Sequence, residues 1–323
     1  MPSGLMISRP TSAWAGRREM LRRFVQAFWL RPENAFWMTL RSETLAPYRF
    51  ETPSLDLSCG DGVFSFLHQG GTFDPGFDVF TGTDAWNRVA HEPVDIFDFF
   101  TERYRPLIQS RPREGIDVGT DWKSTMLAKA ERLGFYGRLV EHDHNRPLPF
   151  KDDAFRSVYC NAAYWVVNID GFLREIRRIT RPSGRIVLQV KLDSMRRYTL
   201  AAHRRILGDR FLDILGGGRL ESWPTIADRA TWEARFARSA LSVEEVTPFV
   251  TRTHAHVWNV GLRPVAPLLM RMADALNPTT RSSIKRDWVD LVCELLHPLC
   301  DPGFDLETGR DDPAEVQYVL QPR

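Results

Sequence analysis

Between Leu55 and Val190, short apolar runs alternate with stretches whose apolar residues recur every three or four positions, a pattern that predicts strands joined by amphipathic helices. Leu55 and Leu57 close a short buried strand, and Val63 to Leu67 begin a helix that stops at Gly70-Gly71. Gly115 to Thr120 reads as a second strand, followed by a helix from Trp122 to Leu133 with Met126, Leu127, Ala130 and Leu133 on one face. Arg138 to Glu141, Ser157 to Asn161 and Arg185 to Val190 read as three more strands. A helix through Phe172, Leu173, Ile176 and Ile179 separates the last two.

Outside this region the pattern is mostly helical. Arg17 to Leu30 alternates arginines with Met20, Leu21, Phe24, Val25, Phe28 and Trp29, a basic amphipathic helix expected to pack on the domain rather than lie on a membrane surface. A second short helix is expected around Ala35 to Leu45. Residues 70–113 form a long insertion with a helix predicted from Val94 to Leu107. Met195 to about Phe236 reads as two or three helices broken at Gly216 to Gly218, with Val243 to Val250 as a sixth strand. Two further helices span Arg263 to Leu276 and Thr279 to Leu299, the second with Ile284, Trp288, Leu291, Val292, Leu295 and Leu296 on one side. Glu315 to Gln321 alternates as a last, edge strand.

Composition narrows the class without choosing a function. The 323 residues are 43% apolar and 26% charged, those of a globular chain of one elaborated domain or two. A net charge of +2 gives no general attraction to nucleic acid, and no basic RNA module is visible. Cys59, Cys160, Cys293 and Cys300 form no CxxC pair and read as reduced, mostly buried thiols. Met1 to Arg9 lack a charged start followed by an apolar run, so a cytoplasmic protein is expected.

The chemistry concentrates where strands meet helices. Leu55-Asp-Leu-Ser-Cys-Gly-Asp-Gly-Val63 carries Asp56 into a turn in which Gly60 and Gly62 let the backbone bend tightly and approach a ligand. A dinucleotide loop would need a further glycine where Phe64, Ser65 and Phe66 stand. A carboxylate closing the second strand can accept from both ribose hydroxyls. Asp121 and Asp117 are the candidates, with Asp78 or Asp84 as a third option at a suitable distance from the first motif but without a following helix.

The order of these motifs resembles class I S-adenosylmethionine-dependent methyltransferases. Asp56, Gly60 and Gly62 match the first motif, with Ser58 where that family usually has a glycine; Asp121 with Met126, Leu127 and Ala130 matches the second. Asp143 with Leu148-Pro149-Phe150 matches the third, and Glu175, Arg178, Pro182 and Gly184 the fourth, although Phe155-Arg156 replaces the usual Phe-Asp. The resemblance implies an α/β fold with a Rossmann-like seven-stranded methyltransferase sheet and an antiparallel last strand. It divides the chain into N-terminal helices over 1–50, a cofactor core over 51–193, a helical cover over 194–241, and the last strands over 242–323 with a helical insertion at about 251–312, the helical insertions forming a substrate cover. It also implies S-adenosyl-L-methionine as cofactor, held by Asp56, Ser58, Gly60, Asp61, Gly62, Asp121, Trp122, Asp143, His144 and Asn161. In that arrangement Asp143 accepts from the adenine amino group and the backbone N–H of His144 donates to the ring.

Tyr164 and Trp165, beyond the fourth strand, are candidates for substrate contact. His254 and His256, after the sixth strand, would point the same way if that segment were extended and are the candidates for a base; no metal is expected. Asn161-Ala-Ala-Tyr164 lacks the Asn-Pro-Pro-Tyr pattern, so a small-molecule, sugar or lipid-linked acceptor, methylated on a hydroxyl oxygen, is the expectation. The alternative is a non-catalytic partner-binding protein that keeps the fold.

Overall fold

The computed structural model describes residues 11–80, 95–216, 223–300 and 312–323. Helix α1 (Thr11–Ala27) and helix α2 (Pro32–Leu45), the latter started by a proline at its first turn where no N–H is needed, precede the sheet. Leu21, Phe24, Val25 and Phe28 are completely buried, so the apolar stripe of α1 is used inside the domain. Strand β1 (Ser54–Leu57) leads through the glycine turn into α3 (Val63–His68). The insertion is then closed at its base by a two-stranded ribbon of β2 (Thr72–Phe73) and β3 (Ile108–Ser110). Between residues 95 and 107 there is a single 3₁₀ turn, Ile96–Asp98, in place of the predicted helix. Phe73, Phe77, Phe80 and Phe97 are buried, so their contacts rather than a helical stripe organise the segment.

The core continues as β4 (Ile116–Asp121), α4 (Ser124–Leu133), β5 (Tyr136–Glu141), β6 (Phe155–Cys160), α5 (Ile169–Ile179) and β7 (Thr180–Lys191). Helix α5 is capped by the Asn168 side chain, which accepts from the N–H of Gly171, and it buries Ile169, Phe172, Leu173, Ile176 and Ile179 along one face. Short helices α6 (Ser194–Arg197), α7 (Arg204–Leu207) and α8 (Asp209–Gly216) follow, then α9 (Arg229–Arg238), β8 (Leu241–Val250), α10 (Arg252–His256), α11 (Ala266–Asp274), α12 (Pro278–Leu296) and β9 (Glu315–Pro322). No helix among the described residues is long and apolar enough to cross a membrane.

Seven strands pair in the order β5-β4-β1-β6-β7-β9-β8. The first five run parallel, and β9 is antiparallel to both neighbours. The chain leaves β1 toward β4 and β5, then returns to the other side of β1 for β6 and β7. That reversal opens a crevice outside the carboxyl ends of β1 and β6, where open α/β sheets bind ligands.

Two expectations are corrected. Strand β9 lies between β7 and β8 and is buried along Glu315 to Leu320, so it is not at the edge. Its polar alternates point into the protein, where Glu315 meets Arg41 and Lys191 and Gln317 accepts from Gln189. In α12 the buried stripe is Lys285, Val289, Val292, Cys293 and Leu296, whereas Ile284, Leu291 and Leu295 are exposed. The Lys285 stem is buried and its ammonium donates to the Phe77 carbonyl, turning the helix away from the face predicted by its apolar residues.

Candidate functional site

The glycine turn is built from backbone that strands alone cannot supply. Ser58 takes a φ of +63°, Gly60 +59° and Gly62 +75°. Ser58 thus holds a left-handed conformation at a cost a side chain normally avoids. Its hydroxyl oxygen lies 2.9 Å from Nδ1 of His144, whose Nε2 lies 2.9 Å from Thr120 Oγ1. Burial and the nearby His142 hold the His144 imidazole down to about 4, so it is neutral near pH 7. Gly60 donates to the Asp121 carboxylate at 3.0 Å, and the N–H of Lys123 donates to its other oxygen at 2.9 Å. Asp121 therefore stitches the turn after β1 to the start of α4. Burial raises its pKa, against the opposing pull of those two backbone donors.

A cleft of about 510 Å³ opens at this crevice. It is lined by Ser58, Asp121, Trp122, Asp143, His144 and Trp165 from the sequence-predicted set, and by Asp95, Lys123, Met126, Asn145, Ala162 and Val166. Trp122 is 64% exposed and offers an open aromatic wall. Asp143 is held below the usual carboxylate range by the backbone and side-chain N–H groups of Asn145. Asn145 in turn accepts from the N–H groups of Val167 and Asn168 through its side-chain oxygen, fixing the loop that carries Trp165 and Val166. Lys123 pairs with Asp95 at 3.2 Å and with Asp98, which brings the insertion to the cleft.

Other expected residues stand elsewhere. Asp56 faces the core beneath the turn, accepting from Ser65 Oγ at 2.6 Å and Tyr136 Oη at 2.7 Å, and burial raises it to about 6. Asp61 is buried and accepts from the N–H of Val63, shaping the entry to α3. A Cβ on Gly62 would stand 2.8 Å from the Tyr136 ring, so this glycine serves helix–strand packing, whereas Gly60 has only Met126 nearby at 3.4 Å. Asn161 is not in the cleft lining and donates to Tyr159 Oη at 3.2 Å. Asp117 binds the N–H and hydroxyl of Ser54, and Asp78 holds Trp29 and Arg281, so both are structural; Asp84 lies outside the described residues. Tyr164 is buried beside Arg41, while its neighbour Trp165 reaches the cleft.

The histidine pair is a correction. Residues 252–256 are helical, so His254 and His256 do not share a direction. His254 is buried, with Nδ1 accepting from the N–H of Thr251 and Nε2 2.9 Å from the Leu299 carbonyl. His256 meets Tyr198 edge-on, and neither histidine lines the cleft. Of the cleft residues not anticipated, Asn145 follows Asp143 by two positions in a turn-forming pattern that could have marked it. Asp95 had no such signal, because the fold of the insertion alone brings it in.

Residues 107–188 match the family model described as a methyltransferase domain. No curated protein matches the sequence. Among solved structures, a chain from the Haloferax volcanii complex with the Trm112 methyltransferase activator is similar at 14% identity, covering 96% of each chain with a TM-score of 0.44. An S-adenosylmethionine-dependent methyltransferase from Mesorhizobium loti is similar at 16% identity, over 83% of this chain and 89% of its own, with a TM-score of 0.41. Geranyl diphosphate methyltransferase in complex with SAM is similar at 11% identity over 90% of each chain, with a TM-score of 0.42. These distant likenesses carry no argument about substrate. The stretch that matches a methyltransferase domain, residues 107–188, thus runs from the approach to β4 into β7, inside a Rossmann-like seven-stranded sheet of this strand order.

Proposed function

We propose that the protein transfers a methyl group from S-adenosyl-L-methionine to a hydroxyl oxygen of a small-molecule, sugar or lipid-linked acceptor. The observation that carries the cofactor assignment is the charge of the cleft. Its lining holds three carboxylates, Asp95, Asp121 and Asp143, and one cation, Lys123, which is already paired with Asp95 and Asp98. A pyrophosphate would find no uncommitted cation among these lining residues, whereas a sulfonium with a ribose is complementary to them.

The residues present fit that group. Asp121 offers acceptor oxygens for ribose hydroxyls, Trp122 an aromatic face for adenine, and Asp143 with the His144 backbone N–H the polar edge. Ser58 and Gly60 would hold the amino-acid end, the Ser58 hydroxyl by a polar contact and Gly60 by the room its missing Cβ leaves. When bound, the cofactor supplies an electrophilic methyl on a positive sulfur; the chain's task is to hold the acceptor in line with it and keep water out. Trp165, Ala162 and Val166 supply apolar wall on the β6 side of the cleft for that purpose.

Calorimetry with S-adenosylmethionine tests the cofactor assignment, with Asp121→Ala expected to weaken binding by about tenfold or more through loss of charged hydrogen bonds. An affinity unchanged by that substitution overturns the site, and no binding at millimolar cofactor overturns the enzyme reading. A methyl-transfer screen of hydroxylated metabolites and glycans, read by mass, then tests the acceptor class.

A further inference from the structure

Beyond the cleft, at the carboxyl end of β7, lies a buried charge cluster none of whose members lines the cleft. Lys191, the last residue of β7, pairs with Glu315, the first of β9, across a strand register that places the two opposite each other. Arg41 from α2 reaches the same carboxylate at 3.1 Å and the Tyr164 hydroxyl at 3.2 Å. The Trp37 indole N–H donates to Glu315 at 3.1 Å. The Lys191 ammonium sits 4.2 Å from the Trp37 ring centre, 5.1 Å from Tyr164, 5.5 Å from Trp223 and 5.8 Å from Trp258. Lys191 and Glu315 are buried, and the Arg41 side chain keeps 12% of its surface.

The balance of charge is the informative part. Among the described residues two largely buried cations share one carboxylate, leaving one positive charge compensated by aromatic faces. Burying an uncompensated charge is costly, and a second anion would complete the set. Position says where that anion would come from. The cleft lies on the ends of β1, β4 and β5 and is walled by Ala162, Trp165 and Val166 beyond β6, so a molecule approaching past that wall comes from the β7 side. Tyr164 of the cluster directly precedes Trp165 of the cleft wall. Arg41 is the partly accessible member through which an oxyanion can enter.

We propose that Arg41 and Lys191 form an anion subsite of the methyl acceptor, so that the acceptor carries a carboxylate or phosphate group bound there while its reacting oxygen faces the cleft. This rests on the methyltransferase reading given above, but its test does not. Trp37, Trp223 and Trp258 surround the ammonium, so tryptophan fluorescence reports on the subsite. The full chain is titrated with sodium phosphate and, separately, sodium acetate, against sodium chloride at matched ionic strength. A saturable change absent with chloride is expected, and whether phosphate or acetate produces it at lower concentration identifies the group. Arg41→Gln should weaken that response about tenfold, as loss of a charge-assisted hydrogen bond does. Glu315→Gln, which removes the internal competitor, should strengthen it, a direction that a purely structural ion cluster does not produce. A wild-type response identical to chloride in both arms overturns the proposal even if neither variant folds, and so does a response unchanged by Arg41→Gln. Cofactor calorimetry separates the two readings: loss of anion binding with cofactor binding intact removes only this subsite, and the reverse removes the methyltransferase assignment.

Discussion

Ser58 Oγ lies 2.9 Å from His144 Nδ1 while the Ser58 backbone sits at a φ of +63°, so one residue carries both a strain and the bond that offsets it. A left-handed backbone costs a non-glycine residue about 1 kcal/mol, and a neutral hydrogen bond returns about the same. The two single substitutions at this position should therefore separate. Ser58→Gly loses the bond and relieves the strain, leaving stability within about 0.5 kcal/mol of the wild type, whereas Ser58→Ala keeps the strain without the bond and should lose about 1–2 kcal/mol. Denaturant titration of both variants checks this, and an alanine variant as stable as the glycine variant contradicts it.

The depressed pKa of His144 makes stability depend on pH. Its folded value of about 4 lies below the ordinary 6.5, so the unfolded chain takes up a proton that the folded chain refuses between those values. The contribution is fully present above about pH 6.5 and is lost as pH falls through about 4. The difference corresponds to something on the order of 3 kcal/mol. His68, lowered by burial to about 4, acts in the same direction, while Asp56, raised to about 6, acts oppositely and loses its contribution as pH rises through that value. His144→Gln should flatten the fall in stability between pH 6.5 and 4 relative to the wild type. Denaturation midpoints across that range measure it, and parallel curves for the two proteins would refute the assignment.

The alternation of strands and helices over residues 54–191 was legible because each element there has one apolar face and the turns carry glycine or proline. What was misread had its polar groups satisfied inside the protein. Lys285 counts as polar in any periodicity, yet its stem fills the α12 interface. Glu315 and Gln317 look like the solvent side of an edge strand, yet they face Arg41, Lys191 and Gln189. The cleft was legible where a residue's place in the lining follows from its position at or just after a strand end, as with Asp121, Trp122 and Asp143. Asp95 was not, because it reaches the cleft through the fold of an insertion whose local sequence has no regular period. Asp56 matches a motif by spacing, but its side chain is buried against Ser65 and Tyr136 and does not line the cleft.

Gly62 and Gly70 both have positive φ, and together they separate backbone strain from steric conflict. A Cβ at Gly70 meets nothing within 4 Å, whereas one at Gly62 meets Tyr136 at 2.8 Å and Leu133 at 3.1 Å. Gly70→Ala should cost about 1 kcal/mol from strain alone. Gly62→Ala should cost about 2–4 kcal/mol, because the Tyr136 ring that it displaces also donates to the buried Asp56 carboxylate. Equilibrium unfolding gives both values, and equal losses would show that the approach of β5 to the glycine turn is looser than described.

His254 and His256 should behave as structural residues, and differently from each other. His254 bridges Thr251 at the start of α10 to the Leu299 carbonyl and packs edge-on against Phe36 at 5.7 Å. Truncating it leaves the partly buried Leu299 carbonyl without that partner and opens a cavity, so His254→Ala should lose about 2–3 kcal/mol. His256 is half-buried and has Tyr198 beside it at 6.0 Å, so His256→Ala should change stability by under about 1 kcal/mol. Neither substitution should alter the rate of methyl transfer per folded molecule, since neither ring borders the cleft. Once an acceptor is found, single-turnover rates on the folded fraction decide the point. A fall of about tenfold or more in His256→Ala, equivalent to roughly 1.4 kcal/mol of barrier, would return that histidine to candidacy as the base.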